Sequence, residues 1–172
     1  MKIIYKHGNL LKAKENFIVQ GCNAQGVMGS GVAKLLRDRD ERVFTLYRKT
    51  YEDQGNSLSL GQVIMGYSHP HYVFNAVTQE FYGREPGRVY VDYDAVRTAM
   101  RWINSTLSSM SSEGEYFLLN TQYVAMPLIG AGLAQGKWSI ISQIIEEEMT
   151  DVQPVVYLID GIIPDGVIAD VV

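Results

Sequence analysis

The sequence predicts an α/β fold, a three-layer α/β/α sandwich built on a central, mixed but mostly parallel six-stranded sheet. Three observations lead there. Short runs rich in β-branched and aromatic residues alternate with longer segments of helical spacing. Several of the short runs are apolar almost throughout, as strands covered on both faces are. Two of the junctions between a short run and the helix after it are rich in glycine. Strands that alternate with helices imply helices on both sides of a mostly parallel sheet.

Lys2–Tyr5 and Phe17–Val19 read as the first two strands, Val32–Arg39 as a helix after a glycine loop, and Glu41–Glu52 as a second helix. Gln62–Tyr67 and Tyr72–Val77 lie so close in sequence that they predict one antiparallel pair. His69-Pro70-His71 between them reads as a turn, because zinc would need further ligands at suitable spacing. Asp92–Ser111 sets Val96, Met100, Ile103, Leu107 and Met110 on one helical stripe, with Asp92 or Asp94 able to cap its start. Tyr123–Met126 is a strand. Trp138–Met149 is a helix with Trp138, Ile141, Ile144 or Ile145, and Met149 on one face, and Glu146-Glu147-Glu148 on it reads as a solvated face. Val155–Ile159 closes the series. With no repeat, low-complexity tract or linker in its 172 residues, the chain reads as a single domain over 1–172.

Composition narrows the partners. A net charge of −4 argues against nucleic acid as the main partner, since phosphate-backbone binding leaves a basic footprint. An acidic protein still binds one anionic small molecule when backbone N–H groups hold it. The single cysteine, Cys22, excludes an intramolecular disulfide. No histidine stands near it in sequence to activate it, so it reads as a small buried thiol. The start lacks the apolar stretch of a signal peptide and no run is long enough to span a bilayer, which predicts a cytoplasmic protein without a membrane partner.

Ligands of open α/β sheets bind beyond the carboxyl ends of strands, and two loops there are specialised. The first is Gly21-Cys22-Asn23-Ala24-Gln25-Gly26-Val27-Met28-Gly29-Ser30-Gly31, ahead of the helix starting near Val32. Its glycines let the backbone approach a ligand closely, and the unpaired N–H groups of the following helix make an anion site. It is no Walker loop, which needs Lys and then Ser or Thr where Val32-Ala33 stand. Nor is it a dinucleotide fingerprint, whose third glycine is replaced by Lys34. The second is Pro127-Leu128-Ile129-Gly130-Ala131-Gly132-Leu133-Ala134-Gln135-Gly136-Lys137-Trp138. Either loop alone is compatible with a purely structural turn. Two such units in one small domain point to a diphosphate gripped from both sides.

These residues resemble a known family. Gly8-Asn9-Leu10, then Asn23 to Ala33, and later Pro127 to Leu133 followed by Trp138, are similar to the opening and the second phosphate loop of macro domains. Asn75-Ala76-Val77-Thr78-Gln79-Glu80-Phe81-Tyr82-Gly83-Arg84 resembles a strand-end segment of one branch. That branch holds yeast-type ADP-ribose 1″-phosphate phosphatases and many bacterial and phage proteins, with the terminal ADP-ribose glycohydrolases close by. The likeness runs from Met1 to about Asp160.

The resemblance implies the macro domain fold and, as ligand, ADP-ribose or ADP-ribose 1″-phosphate, free or attached to protein, with no cofactor and no metal. It implies that Gly26–Gly31 contact the α-phosphate side and the distal ribose, with Gly21, Cys22, Ala24 and Val32 as further ligand-binding positions. Pro127, Leu128, Ile129 and Gly130–Leu133 with Ala134 would close over the diphosphate. Asn23 matches an asparagine beside the distal ribose hydroxyls and would position substrate, its alternative being a side chain that bonds its own loop. Gln25 and Gln79 are secondary polar candidates. Tyr82, Tyr90 and Tyr93 either line the groove or pack. Asn9 stands where many relatives carry an aspartate for the adenine amino group, and Asp160 is a substitute for it. Gln20 replaces the first asparagine of the commoner pattern. The lysine of the glycohydrolases is missing near Thr78, where Gln79 and Glu80 follow, and their loop aspartate is missing near Ala134. The remaining chemistry is phosphate hydrolysis, although no residue stands out as a general base. Binding without turnover, or hydrolysis of ADP-ribosyl esters, are the alternatives.

Overall fold

A computed structural model describes residues 1–112, 120–159 and 164. Six strands form one sheet in the order β1-β6-β5-β2-β4-β3. They are β1 (Ile4–His7), β2 (Phe17–Asn23), β3 (Val63–Ser68), β4 (His71–Gln79), β5 (Tyr123–Met126) and β6 (Gln153–Leu158). All neighbours run parallel except β3, which pairs antiparallel with β4 across the His69-Pro70 turn. The expected sandwich and its one antiparallel pair are therefore present.

The pleat divides the core in two. In β2, Phe17 and Val19 point to one face, where they join Val96, Met100, Ile103 and Leu107 of α3 (Tyr93–Ser112) and Trp138, Ile141, Ile144 and Ile145 of α4 (Trp138–Glu148). Ile18 and Cys22 point to the other face, against Leu36 of α1 (Gly31–Arg39) and Val43 and Tyr47 of α2 (Arg42–Asp53). Asp92 caps α3, its Oδ1 accepting from the Ala95 N–H at 2.8 Å.

Three features depart from expectation. β2 and β4 run past the ends of their apolar stretches, because buried polar residues continue the ladder. Gln20 sits opposite Asn75, and its Nε2 donates to Asn75 Oδ1 at 2.6 Å. The strand ends thereby reach Asn23 and Gln79, which face each other after a register shift at Cys22/Asn23. The Glu146–Glu148 run, expected to be a solvated face, is a set of ties. Glu148 receives Arg97 and Arg101 from α3, both with contacts of 2.7–3.1 Å, and Glu146 receives Lys2 Nζ at 2.7 Å. Between β1 and β2 a short 3₁₀ turn over Leu10–Lys12, which the sequence pattern does not announce, is capped by Asn9.

Candidate functional site

The carboxyl ends of β5, β2 and β4 lie side by side, and the segment after each strand forms one wall of a cleft of about 470 Å³. Loop one, after β2, is set by Asn23. Its Oδ1 accepts from the N–H groups of Gln25 (3.0 Å) and Val27 (3.3 Å), while Nδ2 donates to the Val27 carbonyl at 2.7 Å. The buried Tyr47 hydroxyl of α2 donates to the Asn23 carbonyl at 2.6 Å, and burial pushes that phenol well above its ordinary pKa. Gly26 is required here. Its φ is +69°, and a Cβ would meet the Tyr51 ring at 2.7 Å. The loop ends at α1, whose N-cap Ser30 makes no side-chain capping bond. The first residues of that helix, Gly31, Val32 and Ala33, line the cleft, and no side chain caps their N–H groups.

Loop two, after β5, turns at Gly130 (φ +73°), where a Cβ would meet Val91 at 2.7 Å. Its far end folds back, the Gly136 N–H donating to the Gly130 carbonyl at 2.8 Å. Tyr90 and Val91 both donate their N–H to the Ala134 carbonyl, so the segment after β4 is fastened to this loop.

That segment supplies the third wall, with Thr78, Gln79, Tyr82, Gly83 and Arg84. Thr78 is fully buried beneath Gly21, and its hydroxyl has no hydrogen-bond partner among the described residues. Arg84 is the one charged residue among the described residues that line the cleft. Among the described residues no three His, Cys, Asp or Glu side chains converge as a metal site, and no helix is long and apolar enough to cross a membrane.

The predicted site residues divide accordingly. Gly21, Cys22, Asn23, Val27, Gly29, Ser30, Gly31, Val32, Gln79, Pro127, Leu128, Ile129, Gly130, Gly132, Leu133 and Ala134 line the cleft. Ala24, Gly26, Met28 and Ala131 do not; Met28 is packed in the core and the Ala24 N–H donates to the Gln79 carbonyl. Gln25 lies outside the lining, its Nε2 donating to the Glu80 carbonyl at 3.2 Å. Gly8, Asn9 and Leu10 lie at the end of β1, outside the lining. The Asn9 Oδ1 that was to accept from a base accepts instead from the Leu11 N–H at 2.9 Å. Asp160 lies outside the described residues. Cys22 is buried, and desolvation lifts its thiol far above the range in which a thiolate forms. Tyr82 lines the cleft, whereas Tyr90 and Tyr93 pack against the core. Sequence reasoning did not assign Ala33, Thr78, Gly83 and Arg84. The available signal for Thr78, Gly83 and Arg84 was that they stand at or just after the end of β4, an interior strand, as the two glycine loops stand after β2 and β5.

No family model matches the chain. It is 32% identical over 152 residues to an uncharacterised 17.5 kDa protein of enterobacteria phage T4, covering 85% of this chain and 89% of that protein. It is 27% identical over 173 residues to an ADP-ribose 1″-phosphate phosphatase of Saccharomyces cerevisiae, covering 90% and 97% of the two. With a DNA ADP-ribosyl glycohydrolase of Mycobacterium tuberculosis it shares 25% identity, spanning 42% of that longer protein. Among solved structures, a protein of unknown function from Bacteroides thetaiotaomicron superposes with a TM-score of 0.74 at 28% identity, covering 91% of this chain and 98% of that one. The macrodomain of Mycobacterium tuberculosis DarG superposes at 0.71 with 23% identity, covering 90% and 96%. With its sheet order, its paired glycine loops and these likenesses in sequence and structure, the chain belongs to the macrodomain family.

Proposed function

We propose that the cleft binds ADP-ribose and that the chain hydrolyses ADP-ribose 1″-phosphate to ADP-ribose and phosphate. One observation carries the reading: two glycine loops, after β2 and β5, face each other across one cleft with an uncapped helix start on its wall. Backbone N–H groups in that arrangement suit a diphosphate. Water would add to phosphorus while the bond from phosphorus to the sugar oxygen breaks, with the water's proton ending on the sugar hydroxyl or the released phosphate. The transition state of phosphoryl transfer is loose, so positioning and charge stabilisation matter more than a strong base. That fits a cleft whose described lining holds no carboxylate, histidine or lysine.

The yeast phosphatase, which matches along nearly its whole length, supports this reading over glycosidic cleavage. So do Gln79 and Ala134, which line the cleft near the places where a lysine and an aspartate would serve a glycohydrolase. The same lack of acids and bases favours a second reading, a module that binds ADP-ribose without turnover. Incubation with ADP-ribose 1″-phosphate, following phosphate release, separates them: release supports the phosphatase, and binding of ADP-ribose without release supports the module. Calorimetry with ADP-ribose, ADP and AMP tests the ligand class, and a protein that binds none of the three defeats both readings.

A further inference from the structure

The described lining of the cleft is apolar or uncharged except at one corner. There Arg84 contributes its only charged side chain, a cation in a protein whose net charge is −4. The nearest acidic residue in sequence does not neutralise it, because Glu85 pairs with Arg88 at 3.2 Å. Among the described residues no carboxylate stands within ion-pair distance of Arg84.

The backbone on either side is held even though the guanidinium is not. Gln79 Nε2 donates to the Phe81 carbonyl at 2.6 Å, Gln25 Nε2 to the Glu80 carbonyl at 3.2 Å, and Gln135 Nε2 to the Glu85 carbonyl at 2.9 Å. Arg84 is exposed beside the cleft, on a held backbone and without a partner among the described residues, so its guanidinium is free to meet a ligand's charge.

Which part of the ligand it meets depends on the direction in which the ligand lies across the strands. The diphosphate loops come after β5 and β2; β6 and β1 lie on one side of them and β4 on the other. A molecule laid across the loops with its adenosine toward β6 carries its distal ribose toward β4, about 14 Å away at three strand spacings. Arg84 lies just beyond β4.

We propose that Arg84 is the specificity-determining residue for a phosphate monoester on the distal ribose, selecting the phosphorylated sugar over the free hydroxyl. A guanidinium suits this task, since its fork donates two parallel hydrogen bonds to phosphate oxygens. The inference rests on the proposed function for the identity of the phosphorylated ligand, and on an orientation of that ligand with the adenosine toward β6.

The test compares wild type, Arg84→Ala and Arg84→Lys. It measures KM for ADP-ribose 1″-phosphate (Kd by calorimetry where no turnover occurs) and Kd for ADP-ribose, which also reports on folding. Loss of a charged hydrogen-bond pair predicts that Arg84→Ala weakens the phosphorylated ligand by about tenfold or more and ADP-ribose by less than about twofold. Lysine restores part of the difference. Equal weakening of both ligands, no change in either, or a wild type that does not prefer the phosphorylated form would overturn the assignment. A wild type that releases no phosphate, yet loses its preference in Arg84→Ala, refutes the phosphatase and keeps Arg84. Phosphate release by wild type with preference unchanged in the variant refutes Arg84 alone.

Discussion

Asn23 shows how a residue can be found in a sequence while most of its work goes unseen. The sequence marks it as a polar group beside the ligand, and it does border the cleft. Its oxygen and one of its amide hydrogens are nevertheless spent on the loop, at Gln25, Val27 and the Val27 carbonyl. It is first a splint for the backbone that faces the ligand. Asn23→Ala should therefore lower stability by about 1–2 kcal/mol, the usual cost of stranding buried hydrogen-bond partners, and weaken ADP-ribose binding in step. Thermal unfolding and calorimetry on the same samples check this. A fall in kcat with unchanged melting and affinity would instead place Asn23 in the chemistry. The loop-bonding alternative was visible in the residue type, but the partners were not. The Tyr47 hydroxyl that completes the splint lies 24 positions away in sequence, and no local pattern announces such a contact.

At the scale of elements, the periodic parts were legible and the irregular ones were not. Val96, Met100, Ile103 and Leu107 repeat at helical spacing because one face of α3 must be dry, and all four are fully buried. The ends of β2 and β4 were missed because Gln20 and Thr78 are polar and still buried, a choice that hydrophobic patterning does not register. The segment from Phe81 to Tyr90 has no period to read, and its fastening to the second glycine loop exists only in three dimensions. The Glu146–Glu148 run failed for a related reason. Charge alone does not say whether a helix face meets water or another helix. Glu148, 11% exposed at its side chain and shared by Arg97 and Arg101, clamps α4 to α3. Glu148→Ala should cost more than Asp38→Ala, whose pair with Lys34 is half exposed. About 1 kcal/mol or somewhat more is expected for the first and about 0.5 kcal/mol or less for the second, read as midpoint shifts in urea.

For the molecule as a whole, acid should loosen the far end of the sheet through Glu15. Burial works to raise its pKa, but hydrogen bonds from Lys6 and from Tyr157 outweigh it and hold the carboxyl below its ordinary 4.5. A depressed carboxylate stabilises the fold above its unfolded pKa and ceases to as pH falls through the folded one. Glu15→Gln should thus be less stable than wild type at pH 7, with the gap closing below about pH 4 in thermal melts across pH. A gap that stays constant with pH would show that shape, not charge, matters there. The cleft is subject to a different kind of constraint. On the proposed reading its two glycine loops hold the ligand through main chain, which every residue carries, so side chains there are free to drift as long as glycines stand where the turns need them. Ancestry in such a protein is preserved in the spacing of its turns more than in the identity of its reactive groups. A relative sharing only a quarter of its residues can keep the fold and the glycine turns while the side chains around the cleft differ.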